Sequence, residues 1–299
     1  MPYFNIVAET SENTVVTEYE PVKKRSDSYQ SEAELEQEFI RLLCEQGYEY
    51  LPIHTEKDLI ANLRKKLEEL NNYQFSDTEW EDFFKNAIAN PNEHIVEKTR
   101  KIQEDNIQVL TRDDGSSKNI TLIDKKNIHN NRLQVINQYK VNVATGSSKD
   151  SLGCVIGTEN GAKYNNRYDV TVLVNGLPLI HIELKRRGVA IREAFNQINR
   201  YQRDSFWAGY GLYEYVQIFV ISNGTDTKYY SNSTRRNAEK EHDKQGSSKT
   251  RTSNSFEFTC FWADANNHVI PDLIDFTKTF FAKHTILNIL TKYCIFTSE

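Results

Sequence analysis

The segment from Tyr168 to Lys185, YDVTVLVNGLPLIHIELK, restricts the fold of this chain more than any other. Val170, Val172 and Val174 alternate with Asp169, Thr171 and Leu173, and Ile180, Ile182 and Leu184 alternate with Leu179, His181, Glu183 and Lys185. Period-two alternation marks paired strands with one apolar face. Here one face of the ribbon is aliphatic and the other holds every charge. Asn175-Gly176 is a strong signal for a two-residue turn. Such a turn pairs Val174 with Leu177 and puts Asp169 opposite Ile182, because a one-residue slip reverses every side chain. The pattern therefore predicts a three-residue loop, Val174 to Gly176, with Gly176 left-handed, Leu173 paired with Leu177 and Asp169 with His181. Another odd-length loop or a bulge would restore the same parity. Asp169, His181, Glu183 and Lys185 then share a face toward a cleft, with Asp169 diagonal to Glu183.

Two carboxylates beside a lysine have a chemical use. Asp and Glu oxygens are hard ligands suited to Mg²⁺ or Mn²⁺, and an ion so held binds a phosphodiester oxygen and lowers the pKa of an attacking water. A neighbouring lysine orients that water or stabilises charge building on phosphorus. The plain alternative is an ion pair that only satisfies itself, a weak source of stability. Around the cluster Lys185, Arg186, Arg187, Arg192, Arg200 and Arg203 make a basic region, the distribution that phosphate binding needs on a protein whose net charge is -5.

That net charge excludes a polycation coating nucleic acid along its whole surface. Cys44, Cys154, Cys260 and Cys294 are scattered without zinc-ligand spacing, and free buried thiols in a reducing cytoplasm are expected. No window is apolar enough to span a bilayer, and no signal peptide opens the chain, so the expected setting is cytoplasmic with no membrane partner. The tetrapeptide GSSK recurs at Gly115–Lys118, Gly146–Lys149 and Gly246–Lys249. None has the phosphate-loop form, so these read as polar turns and no ATP site is expected in this chain.

The rest of the chain reads as a mixed α/β protein. A strand is predicted over Thr14 to Tyr19. A helix opens at a capping box, Ser31 with Glu34, buries Leu35, Phe39, Leu42 and Leu43, and closes at Gly47. Helices follow at about 56 to 71, at 77 to 89 from Ser76 or Asp77, and from His94 to about Glu104. Strands then run through IQVL, NITLID and RLQVINQYKV, the central hairpin, VQIFVIS and FEFTCFW. A helix from about Ile191 to Gln202 follows the hairpin, and residues 231 to 255 form a polar insertion. One long amphipathic helix, DLIDFTKTFFAKHTILNILTKY, carries the chain to its end.

RYDVTVLVNGLPLIHIELKRRG followed by IREAFNQINRY resembles the nuclease motifs of the restriction (R) subunit of type I restriction-modification enzymes, endonucleases of the RecB-like PD-(D/E)XK kind. The resemblance extends through SEAELEQEFIRLLCEQGYEYL, VQIFVISNGTDTKYY and DLIDFTKTFFAKHTILNIL. It implies a restriction-endonuclease-like core, with a mixed central β-sheet flanked by helices, extra N-terminal helices and a C-terminal linking helix. Residues 1–30 would be an extension, 31–265 the endonuclease domain with its catalytic core at about 106–225, and 266–299 a link to a motor. Asp169 and Glu183 match the family's metal carboxylates, Lys185 its catalytic lysine, and Gln197 and Tyr201 its Q-x-x-x-Y element. A glutamate on the first helix also approaches the metal in RecB-like nucleases; Glu36 is the choice, with Glu34 and Glu38 close rivals. His181 is expected to sit beside the ligands rather than among them. The implied cofactor is Mg²⁺, or Mn²⁺, and the implied partners are double-stranded DNA and the methyltransferase and specificity subunits. The resemblance further implies an N-terminal fragment, with ATP used only by the full-length enzyme for translocation. Cleavage would be non-specific and follow that translocation. A stand-alone repair nuclease and a non-catalytic DNA-binding or assembly module are the rival functions.

Overall fold

Alternation along the central hairpin builds the middle of a mixed sheet. The computed structural model describes residues 5–9, 15–18, 30–144, 148–149, 155–156, 162–206, 208–232 and 254–293. Its main sheet comprises β3 (Glu49–Tyr50), β6 (Leu133–Ala144), β9 (Ala162–Val174), β10 (Leu177–Leu184), β11 (Ile218–Ser222) and β12 (Thr227–Ser231). Among the described residues there are also four two-stranded ribbons: β1 (Asn5–Glu9) with β2 (Val15–Glu18), β4 (Ile107–Thr111) with β5 (Ser117–Thr121), β7 (Ser148–Lys149) with β8 (Val155–Ile156), and β13 (Trp262–Ala263) with β14 (Val269–Ile270). The helices are α1 (Glu32–Glu45), α2 (Glu56–Asn71), α3 (Asp77–Phe83), α4 (Ile95–Gln103), α5 (Arg192–Asp204), α6 (Leu273–Phe280) and α7 (Lys283–Asn288).

The six strands lie in the order β12-β11-β10-β9-β6-β3. β10 runs parallel to β11 and β3 parallel to β6, while the other neighbours are antiparallel. Val170, Val172, Ile180 and Ile182 are fully buried, as an aliphatic ribbon face requires.

The turn differs from the predicted three-residue loop. Asn175 and Gly176 form a two-residue turn with φ of 51° and 86°, both left-handed, between the paired residues Val174 and Leu177. Parity is restored one step later. Pro178 pairs with Leu173, the register shifts, and Ile180 pairs with Val172 and Ile182 with Val170, leaving Leu179 as a bulge. Packing explains the tight turn. A Cβ on Gly176 would stand 2.6 Å from the Leu63 Cα of α2. The buried Asn175 amide donates to the Leu122 carbonyl at 3.0 Å and to Asn131 Oδ1 at 2.8 Å. Continued along the strands, this register sets Glu183, not His181, opposite Asp169.

Local signals fix most helix starts. Ser31 accepts from the Glu34 amide at 3.2 Å while Glu34 accepts from the Ser31 amide at 2.8 Å, and Gly47 is left-handed at the C-terminal end. Ser76 caps α3 with Glu79 in the same way. α2 matches its predicted span, and β2 lies within the predicted first strand. The segment expected at 77–89 leaves α-geometry at Phe84, where a π-turn runs to Ile88.

The predicted C-terminal helix is two helices. Phe281 breaks it because its ring packs on Phe39, with centroids 5.4 Å apart, and its carbonyl accepts from the buried Tyr48 hydroxyl at 2.7 Å. FEFTCFW is strand only at its last residue, Trp262 of β13: Asn254–Phe258 is a 3₁₀ turn, and pairing with β12 is confined to a bridge between Tyr229 and Cys260. Cys44 and Cys260 are exposed, not buried; Cys154 and Cys294 lie outside the described residues. Of the GSSK repeats the first begins in the turn between β4 and β5 and continues into β5, where Ser117 and Lys118 pair with Thr111 and Leu110; only Ser148–Lys149 of the second is described, and the third and most of the polar insertion lie outside the described residues. Among the described residues no helix is long and apolar enough to cross a membrane.

Candidate active site

The bulge at Leu179 brings the carboxylates together at the end of the hairpin remote from its turn. The Leu184 amide donates to Asp169 Oδ2 at 2.9 Å. Lys185 Nζ donates to Glu183 Oε1 at 3.2 Å and to the Leu184 carbonyl at 3.1 Å, and its backbone amide is held by the Ser222 carbonyl of β11 at 2.8 Å. The Glu183 side chain is 0% exposed and that of Lys185 12%.

Burial pushes Asp169 up to about 7, and the Glu183 charge adds to the shift. Burial also pushes Glu183 up to about 7, against the opposing pull of Lys185. Glu183 Oε2 is buried without a hydrogen-bond partner, a costly state for a carboxylate oxygen. His181 Nε2 lies 3.6 Å from it, and the Asp169 carboxyl is close enough to hydrogen-bond with Glu183 when one of the two is protonated. Two buried carboxylates beside one lysine, one of their oxygens accepting from no N–H or O–H of the structure, form a donor set that fits a divalent cation. Among the described residues, however, no group of three or more His, Cys, Asp or Glu side chains is arranged to hold a metal ion.

His181 is fully buried, which drops its pKa to about 4 and keeps it neutral. The rings of Tyr168 at 5.4 Å, Phe206 at 5.6 Å and Tyr201 at 6.1 Å enclose it. The polar face of the hairpin is thus covered at His181, where the expected cleft does not extend, while Asp169 and Lys185 are part-exposed.

Of the three glutamates on α1, Glu34 is engaged in the capping box and Glu38 accepts from Gln30 at 2.8 Å. Glu36 faces the sheet, where its Oε1 accepts from Asn137 Nδ2 at 2.6 Å and its Oε2 from Gln138 Nε2. Burial raises the Glu36 pKa, the two amides oppose this, and the Asp169 charge adds to the rise. Glu32, one turn earlier, accepts from the Arg186 amide at 3.4 Å and adds negative charge near Glu183.

On α5, Gln197 Nε2 donates to the Tyr201 hydroxyl at 2.5 Å, and that hydroxyl donates to the Arg167 carbonyl at 2.8 Å. The Q-x-x-x-Y pair is therefore tied to β9 two residues before Asp169. Arg186 and Arg200 are exposed, and Arg200 lies over the Tyr201 ring at 5.5 Å. Arg187 instead binds Gln30 and Thr225, and Arg192 covers the Phe256 ring at 4.4 Å. The Arg203 side chain lies outside the described residues. Sequence reasoning missed Glu32, Asn137, Gln138 and Arg167. Its usable signals were the Glu32–Glu36 spacing of one helical turn and the polar pair Asn137-Gln138, which interrupts alternation in β6.

The family described as "Type I restriction enzyme R protein N terminus" matches residues 29–238. The chain belongs to that family. Relatives of this R protein N-terminal chain include the Type I restriction enzyme EcoprrI endonuclease subunit of Escherichia coli, 45% identical over 294 residues, covering 98% of this chain and 83% of that protein. The SsaAORF53P endonuclease subunit of Staphylococcus saprophyticus is 34% identical over 272 residues, 89% of this chain and 24% of that protein. The SauMSSORF170P endonuclease subunit of Staphylococcus aureus is 33% identical over 273 residues, 90% of this chain and 25% of that protein. The R protein N-terminal chain thus spans most of the first relative and about a quarter of the staphylococcal ones.

Proposed function

We propose that this domain hydrolyses DNA phosphodiester bonds at Asp169, Glu183 and Lys185, on a PD-(D/E)XK core, as the nuclease part of a type I restriction enzyme R subunit. The supporting observation is the buried carboxylate pair with an orphaned Glu183 oxygen beside a lysine. Asp169 and Glu183 would hold Mg²⁺ or Mn²⁺ with Glu36 at their flank. A bound divalent cation supplies Lewis-acid polarisation of the phosphate and a water of lowered pKa. Lys185, restrained by Glu183 and the Leu184 carbonyl, orients the attacking water or takes up charge at the phosphate. The Leu184 amide fixes the Asp169 carboxylate, and Gln197 and Tyr201 hold β9 in place through the Arg167 carbonyl. Arg186 and Arg200 contribute phosphate contacts, with Arg203 extending the same basic helix; Arg187 and Arg192, already engaged within the protein, contribute less.

In this reading the catalytic core spans about 106–225 within an endonuclease domain of 31–265. Within a cytoplasmic type I restriction enzyme it would act with ATP-driven translocation and with methyltransferase and specificity subunits, cleaving double-stranded DNA non-specifically after translocation. Replacing Lys185 by Ala in the complete enzyme tests the reading. Cleavage should fall by about 10²-fold or more with DNA binding retained. An unchanged cleavage rate would instead favour a non-catalytic assembly module.

A further inference from the structure

Gln138 stands in the middle of β6 with φ of 53°, a left-handed conformation that strains any residue carrying a Cβ. It faces Asp169: the ladder pairs Asn137 with Val170 and Tyr139 with Tyr168, and skips the rung between them. In a regular strand neighbouring side chains leave on opposite faces, so Asn137 and Gln138 could not both reach one carboxylate. Here both do, one on each oxygen of Glu36. On β9, Tyr168 and Thr171, three residues apart, both reach Tyr213, by ring contact at 4.6 Å and by a hydroxyl hydrogen bond at 3.1 Å. The Tyr50 hydroxyl donates to Asn137 Oδ1 at 3.0 Å, which leaves the amide nitrogen aimed at Glu36. The acceptor end of the Gln138 amide is buried without a partner, so its donor end is committed to Glu36 even at that cost. Backbone strain of this kind persists where the surroundings over-determine it, and it clusters at functional sites.

We propose that the left-handed kink at Gln138 is a positioning device, turning the Asn137 and Gln138 amides onto Glu36 so that its carboxylate is fixed beside Asp169 as a third negative group at the divalent-cation site. This rests on the reading that Asp169 and Glu183 bind the ion. Amides suit the task because they satisfy both Glu36 oxygens without adding positive charge, so the field offered to a cation is undiminished. Asn137, Gln138 and Tyr50 act through Glu36.

Calorimetric titration of the full chain with Mn²⁺ tests the device. Asn137→Ala and Gln138→Gly should each weaken Mn²⁺ binding about tenfold, as loss of groups that orient ligands does. Glycine keeps the left-handed backbone without strain, so Gln138→Gly should melt no lower than wild type and report the amide alone. In a Glu36→Gln background, Asn137→Ala should change Mn²⁺ affinity by less than about twofold, because its effect passes through the missing carboxylate. Wild-type affinity in both single variants, with binding abolished by Asp169→Ala, would overturn the device and leave the ion site standing. An equal tenfold loss in the Glu36→Gln background would reduce Asn137 to a structural part. Wild-type affinity in Asp169→Ala, or no Mn²⁺ uptake by the wild type, would overturn the ion site and the device with it.

Discussion

Asp169 and Glu183 are each raised to about 7 by burial, Asp169 further by the Glu183 charge and Glu183 against the pull of Lys185. A carboxylate so raised keeps in the folded state a proton that the unfolded chain has lost, so its contribution to stability falls as pH climbs from the ordinary value, near 4, through 7. Metal-free protein should therefore be less stable at pH 8 than at pH 5. Glu183→Gln should flatten that dependence and stabilise the protein at pH 8 by about 1–3 kcal/mol. Denaturant unfolding at both pH values reads this out, and parallel pH curves for variant and wild type would refute it. Asp169, Glu183 and Lys185 were legible in the sequence because alternation assigns faces without coordinates. Glu36 was the sequence choice on α1 with Glu34 and Glu38 as close rivals; their different partners, the sheet amides for Glu36, the cap for Glu34 and Gln30 for Glu38, are visible only in three dimensions. Asn137 and Gln138 were hidden for another reason: their convergence depends on a left-handed backbone that glutamine does not announce.

At the level of elements, the hairpin turn and its bulge work together. The Asn175-Gly176 turn lets β9 and β10 dock against α2, and the bulge at Leu179 corrects the register so that Glu183 meets Asp169. Gly176→Ala places a Cβ at φ 86° and 2.6 Å from the Leu63 backbone, so it should destabilise by about 2–4 kcal/mol from strain and overpacking together. A urea midpoint within error of wild type would contradict the docking role. The parity requirement was readable from the side-chain pattern, but where the extra residue falls was not, because packing on Leu63 selects the tight turn. Helix starts were legible where a capping box marks them. The break at Phe281 was not, because the apolar pattern runs unbroken through it and only the contacts with Phe39 and Tyr48 explain the stop.

For the molecule as a whole, α1 links the site to the C-terminal helices. Glu36 faces the sheet, while Phe39 on the same helix meets Phe281, whose ring lies 5.3 Å from that of Phe280. Phe280 is fully buried between Phe276 at 4.6 Å and Tyr229 at 5.0 Å. Phe280→Ala should lower stability by about 3–5 kcal/mol within one cooperative transition. A separate low-temperature transition, with the main one unmoved, would show instead that the C-terminal segment is only a link. The mixed α/β class was legible from strand and helix periods, whereas packing of the final helices onto α1 was not, since an amphipathic face does not name its partner. In the proposed function Asp169 and Glu183 together hold a divalent cation for phosphodiester hydrolysis. Anomalous diffraction from crystals of this chain grown with Mn²⁺ tests it most directly. One peak in coordination range of both carboxylates is expected; a peak elsewhere, or none at saturating Mn²⁺, would contradict the shared site.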